Sequence, residues 1–226
     1  MSRTLVAAAL GLLFAVPAWA AEGASAIKVV AAPPPQELKE SIRTLLSDQA
    51  VAWQDEKGAT VGQIWLRKEV PAKATPEQIK MGLSYRELEE SAILGALKLE
   101  QQYTDYRRQK IKPGVYTLRL GFQPMDGDHM GTAPYPDFVL MIPAGRDENP
   151  DLVKDAKALY KLSTGATGTS HPAVLLLFPN PMPEDKPKLE DKGNGHWVIS
   201  SKETAVVGGQ KAPLGISLTL VGHAPD

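Results

Sequence analysis

The sequence predicts a mainly β protein, an antiparallel β-sandwich of about eight strands with two or three peripheral helices. Three observations predict it. Apolar and polar residues alternate with period two in several segments, most clearly over 116–122 and 214–220. Clusters of Gly, Pro and Asp separate most of these segments, as the turns of an all-β chain require. No regular helical pattern recurs between successive strands, which argues against a βαβ array.

Composition bounds the function. The chain has 226 residues, 43% hydrophobic and 23% charged, inside the globular range and outside that of a disordered or multi-pass membrane chain. Lys and Arg number 25 against 26 Asp and Glu, with no basic stripe, so nucleic acid is not an expected partner. With no cysteine, disulfide frameworks, thiolate nucleophiles and Cys-ligated metals are all excluded.

In chain order, residues 1–20 (MSRTLVAAALGLLFAVPAWA) read as a signal peptide: Arg3, an apolar run too short for a stable span, then Ala18-Trp19-Ala20 for the peptidase. The expected destination is the periplasm or the exterior, with no membrane span after cleavage. Residues 21–35 (AEGASAIKVVAAPPP) read as a flexible Pro/Ala-rich linker, and 36–226 as one sandwich domain. Leu38, Ile42, Leu45 and Leu46 fall on one face of a helix over 36–47.

Strands are expected over 50–53, over 61–70 from the alternation of Ile64, Leu66 and Val70 with Gln63, Arg67 and Glu69, and over the apolar run 93–99. Four more fall at 116–122, 138–142, 173–178 and 214–220, with another at 197–199. Between them, Thr75-Pro76-Glu77-Gln78 is a capping box with Pro at the first helical position, closed by Gly82. Asn149-Pro150-Asp151 repeats that logic for a helix to Leu162, with Leu152, Val153, Ala156, Leu159 and Tyr160 on one stripe. Residues 179–195 form a Pro- and charge-rich loop.

The octapeptide Ile111-Lys112-Pro113-Gly114-Val115-Tyr116-Thr117-Leu118 resembles the Pro-Gly-x-Tyr-x-Leu strand opening of prealbumin-like secreted β-sandwich domains. The resemblance implies a turn preset by Pro113, a backbone angle at Gly114 barred to other residues, and a Tyr116 ring in the core. More loosely, the order of strands resembles uncharacterised secreted bacterial domains of unknown function. That likeness carries over no catalytic residue.

Chemistry concentrates in one loop. Asp126, Asp128 and His129, curled by Gly127, offer two carboxylates and an imidazole to a divalent metal, with His171 a candidate fourth ligand. The oxygen ligands and closing Glu of an EF-hand are missing, and Asp-Gly-Asp more often caps a turn. Met125 and Met130 beside His129 suit copper, but no Met-rich repeat accompanies them. Ser170-His171, after the hydroxyl-rich stretch 163–169, is the weaker nucleophile reading, because no Gly-x-Ser-x-Gly elbow is present.

A second line follows the aromatic residues. Trp65 has the parity of Gln63 and Arg67, so it points away from the face that buries Ile64 and Leu66. There it either stacks a ligand such as a sugar ring or is covered by a helix, and cover is the favoured reading. Tyr103, Tyr106 and Arg107, with Tyr135, form the candidate rim of a binding site; an Asp105–Arg ion pair is the plainer reading of the 103–108 stretch. The sequence therefore predicts a non-catalytic binding or accessory domain for a glycan or a protein partner. A metal-binding protein is the alternative and a hydrolase the third.

Overall fold

The computed structural model describes residues 24–124 and 133–224, and its sheets form a mainly β, sandwich-like fold. Seven strands make the larger sheet: β1 (Ala24–Ala31), β2 (Gln49–Asp55), β3 (Thr60–Leu66), β5 (Ile93–Leu99), β8 (Gly114–Phe122), β9 (Asp137–Pro143) and β10 (Val174–Leu176). They lie in that order, each antiparallel to the next. The smaller sheet runs β11 (Lys188–Asp191), β12 (Trp197–Val207), β13 (Gln210–Val221), with β4 (Val70–Ala72) parallel to the far end of β12. A short ribbon, β6 (Tyr103–Thr104) and β7 (Lys110–Ile111), stands apart.

All eight expected strands are present, because one buried face forces period two on the side chains. The main core lies between the sheets and takes Ile64, Leu97, Leu118, Leu120, Leu214 and Leu218 among others. Tyr116 belongs to it at 5% exposure, its hydroxyl donating to the Lys112 carbonyl at 2.7 Å, and Gly114 beside it has φ 153°. Two polar groups share this face: Ser201 and Glu203 have the parity of the core residues Ile199 and Ala205, and the Glu203 carboxylate accepts from the Ser201 hydroxyl at 2.6 Å. Burial raises its carboxyl to about 7, and the Ser201 bond pulls the other way.

The two sheets join along one margin. Leu177, just past β10, is bridged to Leu218, and the Phe178 N–H donates to the Ser217 carbonyl at 2.9 Å. From the core side Tyr85 clasps this seam: its hydroxyl donates to the Phe178 carbonyl and accepts from the Ser217 N–H, each at 2.9 Å.

Several expectations are corrected. Residues 24–31 are not linker but β1, an edge strand paired antiparallel with β2 with one register shift between Ala24 and Ala26. Over 36–47 only α1 (Glu40–Arg43) is helical, yet Leu38, Ile42 and Leu46 are all buried as the spacing required. The strand expected over 61–70 breaks after Leu66, where the Arg67 and Lys68 N–H groups bond to the Leu94 and Leu45 carbonyls, and Val70 resumes in the other sheet. The capping box is as expected: α2 (Pro76–Met81) has Thr75 and Gln78 bonded reciprocally and Gly82 at its end.

The helix expected from Asn149 starts later, as α3 (Ala156–Thr167), capped by the Asp155 carboxylate and closed by left-handed Gly168. The cause is Arg119. This residue of β8 has no exposed surface; its Nε and Nη2 meet the Asp147 carboxylate at 2.7 and 2.8 Å. Its Nη1 donates to the Ser91 and Asp151 carbonyls at 2.7 and 3.0 Å, and Nη2 also reaches the Asn149 carbonyl. The segment 147–151 therefore wraps a buried cation, and its carbonyls are committed before a helix can begin. The hydroxyl-rich stretch 163–169 is helical to Thr167. Ser163 is buried there, donating to the Met141 and Ala173 carbonyls.

Candidate functional site

The outward parity of Trp65 is as expected, and so is its cover. Its side chain is buried on the outer face of the large sheet among Leu38, Ile42, Leu46, Ile93 and Val115, and its indole N–H donates to the Ala32 carbonyl at 2.9 Å. It is a structural residue, not a ligand platform. Tyr103 is also structural: its ring meets Trp53 edge-on at 6.5 Å and its hydroxyl donates to the Leu220 carbonyl at 2.8 Å.

No described arginine pairs its side chain with Asp105. Its carboxylate accepts from the Arg107, Gln109 and Val174 N–H groups at 3.0, 2.7 and 3.1 Å, and from the Gln109 amide at 3.0 Å. Burial pushes its pKa up more than these donors pull it down. The effect is to pin the β6–β7 turn onto β10, which carries Tyr106 over the outer face while the Arg107 side chain stays exposed.

There Tyr106 joins a cluster that sequence reasoning found only in part. Its ring lies 6.1 Å from Phe138 and 5.9 Å from His196; His196 lies 5.8 Å from Phe178, and Phe178 meets Tyr135 edge-on at 5.0 Å. Tyr135, Phe138 and Phe178 are half-buried, whereas Tyr106 and His196 are only 2% and 9% exposed. Thus Tyr106 and Tyr135 do come together, with Arg107 on the neighbouring turn. His196 and Phe178 were missed because strand order, not sequence, brings β10, β13 and β12 side by side.

Three buried polar atoms here and on the same outer side have no partner among the described residues: the Tyr106 hydroxyl and His196 Nε2 in the strip, and Thr219 Oγ1 on β13. Thr219 alternates on β13 with the core residues Leu218 and Leu220, so it faces the outer side with the rings. His196 Nδ1 faces the Gly193 carbonyl at 3.2 Å, a contact that suits the tautomer protonated at Nδ1, in which Nε2 offers a lone pair. This outer side thus combines aromatic faces with two hydroxyls and an imidazole acceptor, groups that match the hydroxyls of a ligand.

Asp126, Asp128 and His129, and with them Met125 and Met130, lie outside the described residues. His171 is exposed, as is Ser170, and the His171 carbonyl accepts from the Thr167 and Thr169 hydroxyls. Among the described residues no three His, Asp or Glu side chains cluster as metal ligands.

A cleft of about 80 Å³ opens elsewhere, on the outer face of the small sheet, lined by Lys188, Glu190, Lys192, Ser200 and Ser217. Its acids pair with its own lysines. Glu190 lies 3.2 Å from both Lys188 and Lys192 and accepts from Ser200, and the volume falls well below the roughly 300 Å³ of ordinary small-molecule sites. No helix among the described residues is long and apolar enough to cross a membrane. No family model, curated protein or solved structure matches the chain.

Proposed function

We infer that this is an exported, non-catalytic binding domain whose ligand, a glycan or the hydroxyl-rich surface of a protein partner, meets the Tyr106–Tyr135–Phe178–His196 strip. The observation that carries the reading is the set of three unpartnered buried polar atoms, two in the strip of half-buried aromatic faces and one on the same outer side. Native proteins rarely leave such groups unmatched, since each costs about 1–3 kcal/mol. A sugar hydroxyl that donates to His196 Nε2 and accepts from Tyr106 would remove that cost, with a ring face of Phe178 or Tyr135 stacked on the pyranose. Access requires the Tyr135–Phe178 edge contact to open.

Calorimetric titration of the processed chain with a panel of soluble oligosaccharides tests this. Saturable binding that weakens about tenfold in Tyr135→Ala is the expected result. If no oligosaccharide binds the folded chain, the glycan ligand is removed and the protein partner is left. If one binds with unchanged affinity in Tyr135→Ala, the site is elsewhere.

A further inference from the structure

A second group without a partner lies on a different part of the outer face. Arg67 follows β3 directly, its N–H donating to the Leu94 carbonyl at 2.9 Å and its backbone bridged to Leu46, so the main chain is held from two sides. Its side chain is half-buried, and its Nε is closed off from solvent with no hydrogen-bond partner. No ion pair reaches it from any described residue. Nearby acids are already committed: Asp147 to Arg119, and Asp48 to the adjacent Lys68 at 3.5 Å. Burial first, and then the positive charge of Arg119, lower the pKa of Arg67.

A guanidinium does not give up its proton in a protein, so a part-buried, unpaired one carries a desolvation cost at its closed-off Nε that an anion would offset. Arg43 shares the feature in part: its Nη1 donates to the Gln36 amide oxygen, but its Nε is likewise buried without a partner, and its carbonyl accepts from the N–H of Leu46, the residue bridged to Arg67.

We propose that Arg67 anchors an anion site on the outer face of the large sheet, beside the 36–47 cover, for a doubly charged tetrahedral oxyanion of the phosphate or sulfate class. The guanidinium fork matches two oxygens of such a group. The dianion is chosen over a carboxylate because Coulomb attraction scales with the charge of the anion. The site stands independently of the aromatic strip, which is built on other strands.

The test is thermal unfolding of the processed chain in sodium phosphate, sulfate, acetate and chloride at matched ionic strength, for the wild type and Arg67→Gln. Millimolar phosphate or sulfate should raise the wild-type melting temperature by a few degrees over chloride, with acetate giving less, and Arg67→Gln should lose that rise. The loss in the variant separates site binding from the general stabilisation that both ions give any protein. Whichever of phosphate and sulfate gives the larger Arg67-dependent rise identifies the ligand within the class. In chloride Arg67→Gln should melt at or above the wild type, because it removes an uncompensated cation.

An equal rise in both proteins overturns the proposal, as does no rise in either, or a variant that melts lower in chloride. Should Arg67→Gln not fold, calorimetric titration of phosphate into the wild type decides: a saturating isotherm near one site per chain supports the site, and a flat one overturns it.

Discussion

Two patches on the outer side of the sheets bury aromatic rings, and they differ at the polar tips. Under the 36–47 segment Trp65 is closed in by aliphatic side chains and its single donor is matched by the Ala32 carbonyl. Along β9, β10 and β13, Tyr106 and His196 are buried almost as deeply, yet a hydroxyl and a ring nitrogen are left without partners, with Thr219 on the same outer side. Depth of burial therefore does not separate a structural ring from a candidate ligand contact; the matching of its heteroatom does.

The largest test of that contrast is Trp65→Ala, expected to cost about 3–5 kcal/mol in denaturant unfolding, as aromatic truncations in closed cores do. A loss below about 1 kcal/mol would mean that the 36–47 cover is loose and that the two patches are alike. Next comes pH. Glu203 has a folded-state pKa near 7 against an ordinary 4.5, so the native state holds its proton more tightly than the unfolded chain. Its contribution is fully present below about pH 4.5 and is lost as pH rises through about 7. Stability should fall across that window, and Glu203→Gln should flatten the fall; a slope unchanged by the substitution would place the carboxylate in water.

The smallest effect is the most discriminating. Tyr103→Phe should cost about 1 kcal/mol, since it strips the Leu220 carbonyl of its donor, whereas Tyr106→Phe should be neutral within about half a kcal/mol or stabilising. Equal losses in the two variants, read by the same unfolding assay, would show that the Tyr106 hydroxyl is matched after all.

Much of the fold could be read from the chain because it rests on local periodicity. Leu118 and Leu120, or Leu214 and Leu218, must alternate with their neighbours wherever one sheet face is buried. What failed was non-local. Thr117 and Arg119 look like the solvent side of β8, and only Asp147, Asn149 and Asp151, far along the chain, make that side dry. The same carbonyl commitments delay α3, so a segment with good capping residues stays irregular. β1 was passed over because small residues on an edge strand show no strong alternation. At the candidate site Tyr106 and Tyr135 stood out as aromatic residues in polar loops. His196 carried no such mark, and its place beside Phe178 follows from the order β10–β13–β12 alone.

Because Tyr85 and the Leu177–Leu218 bridge stitch the sheets along the β10–β13 side, while across the sandwich the chain crosses from β3 to β4 on β12 at one corner, the two layers have unequal freedom to part. Any breathing must begin at the opposite lip, near β1 and β11, and swing about the stitched side as about a spine. Amide exchange should then be slowest at Ser217 and Phe178 and quicken toward Ala31 and Lys188, a gradient running across the strands instead of along them.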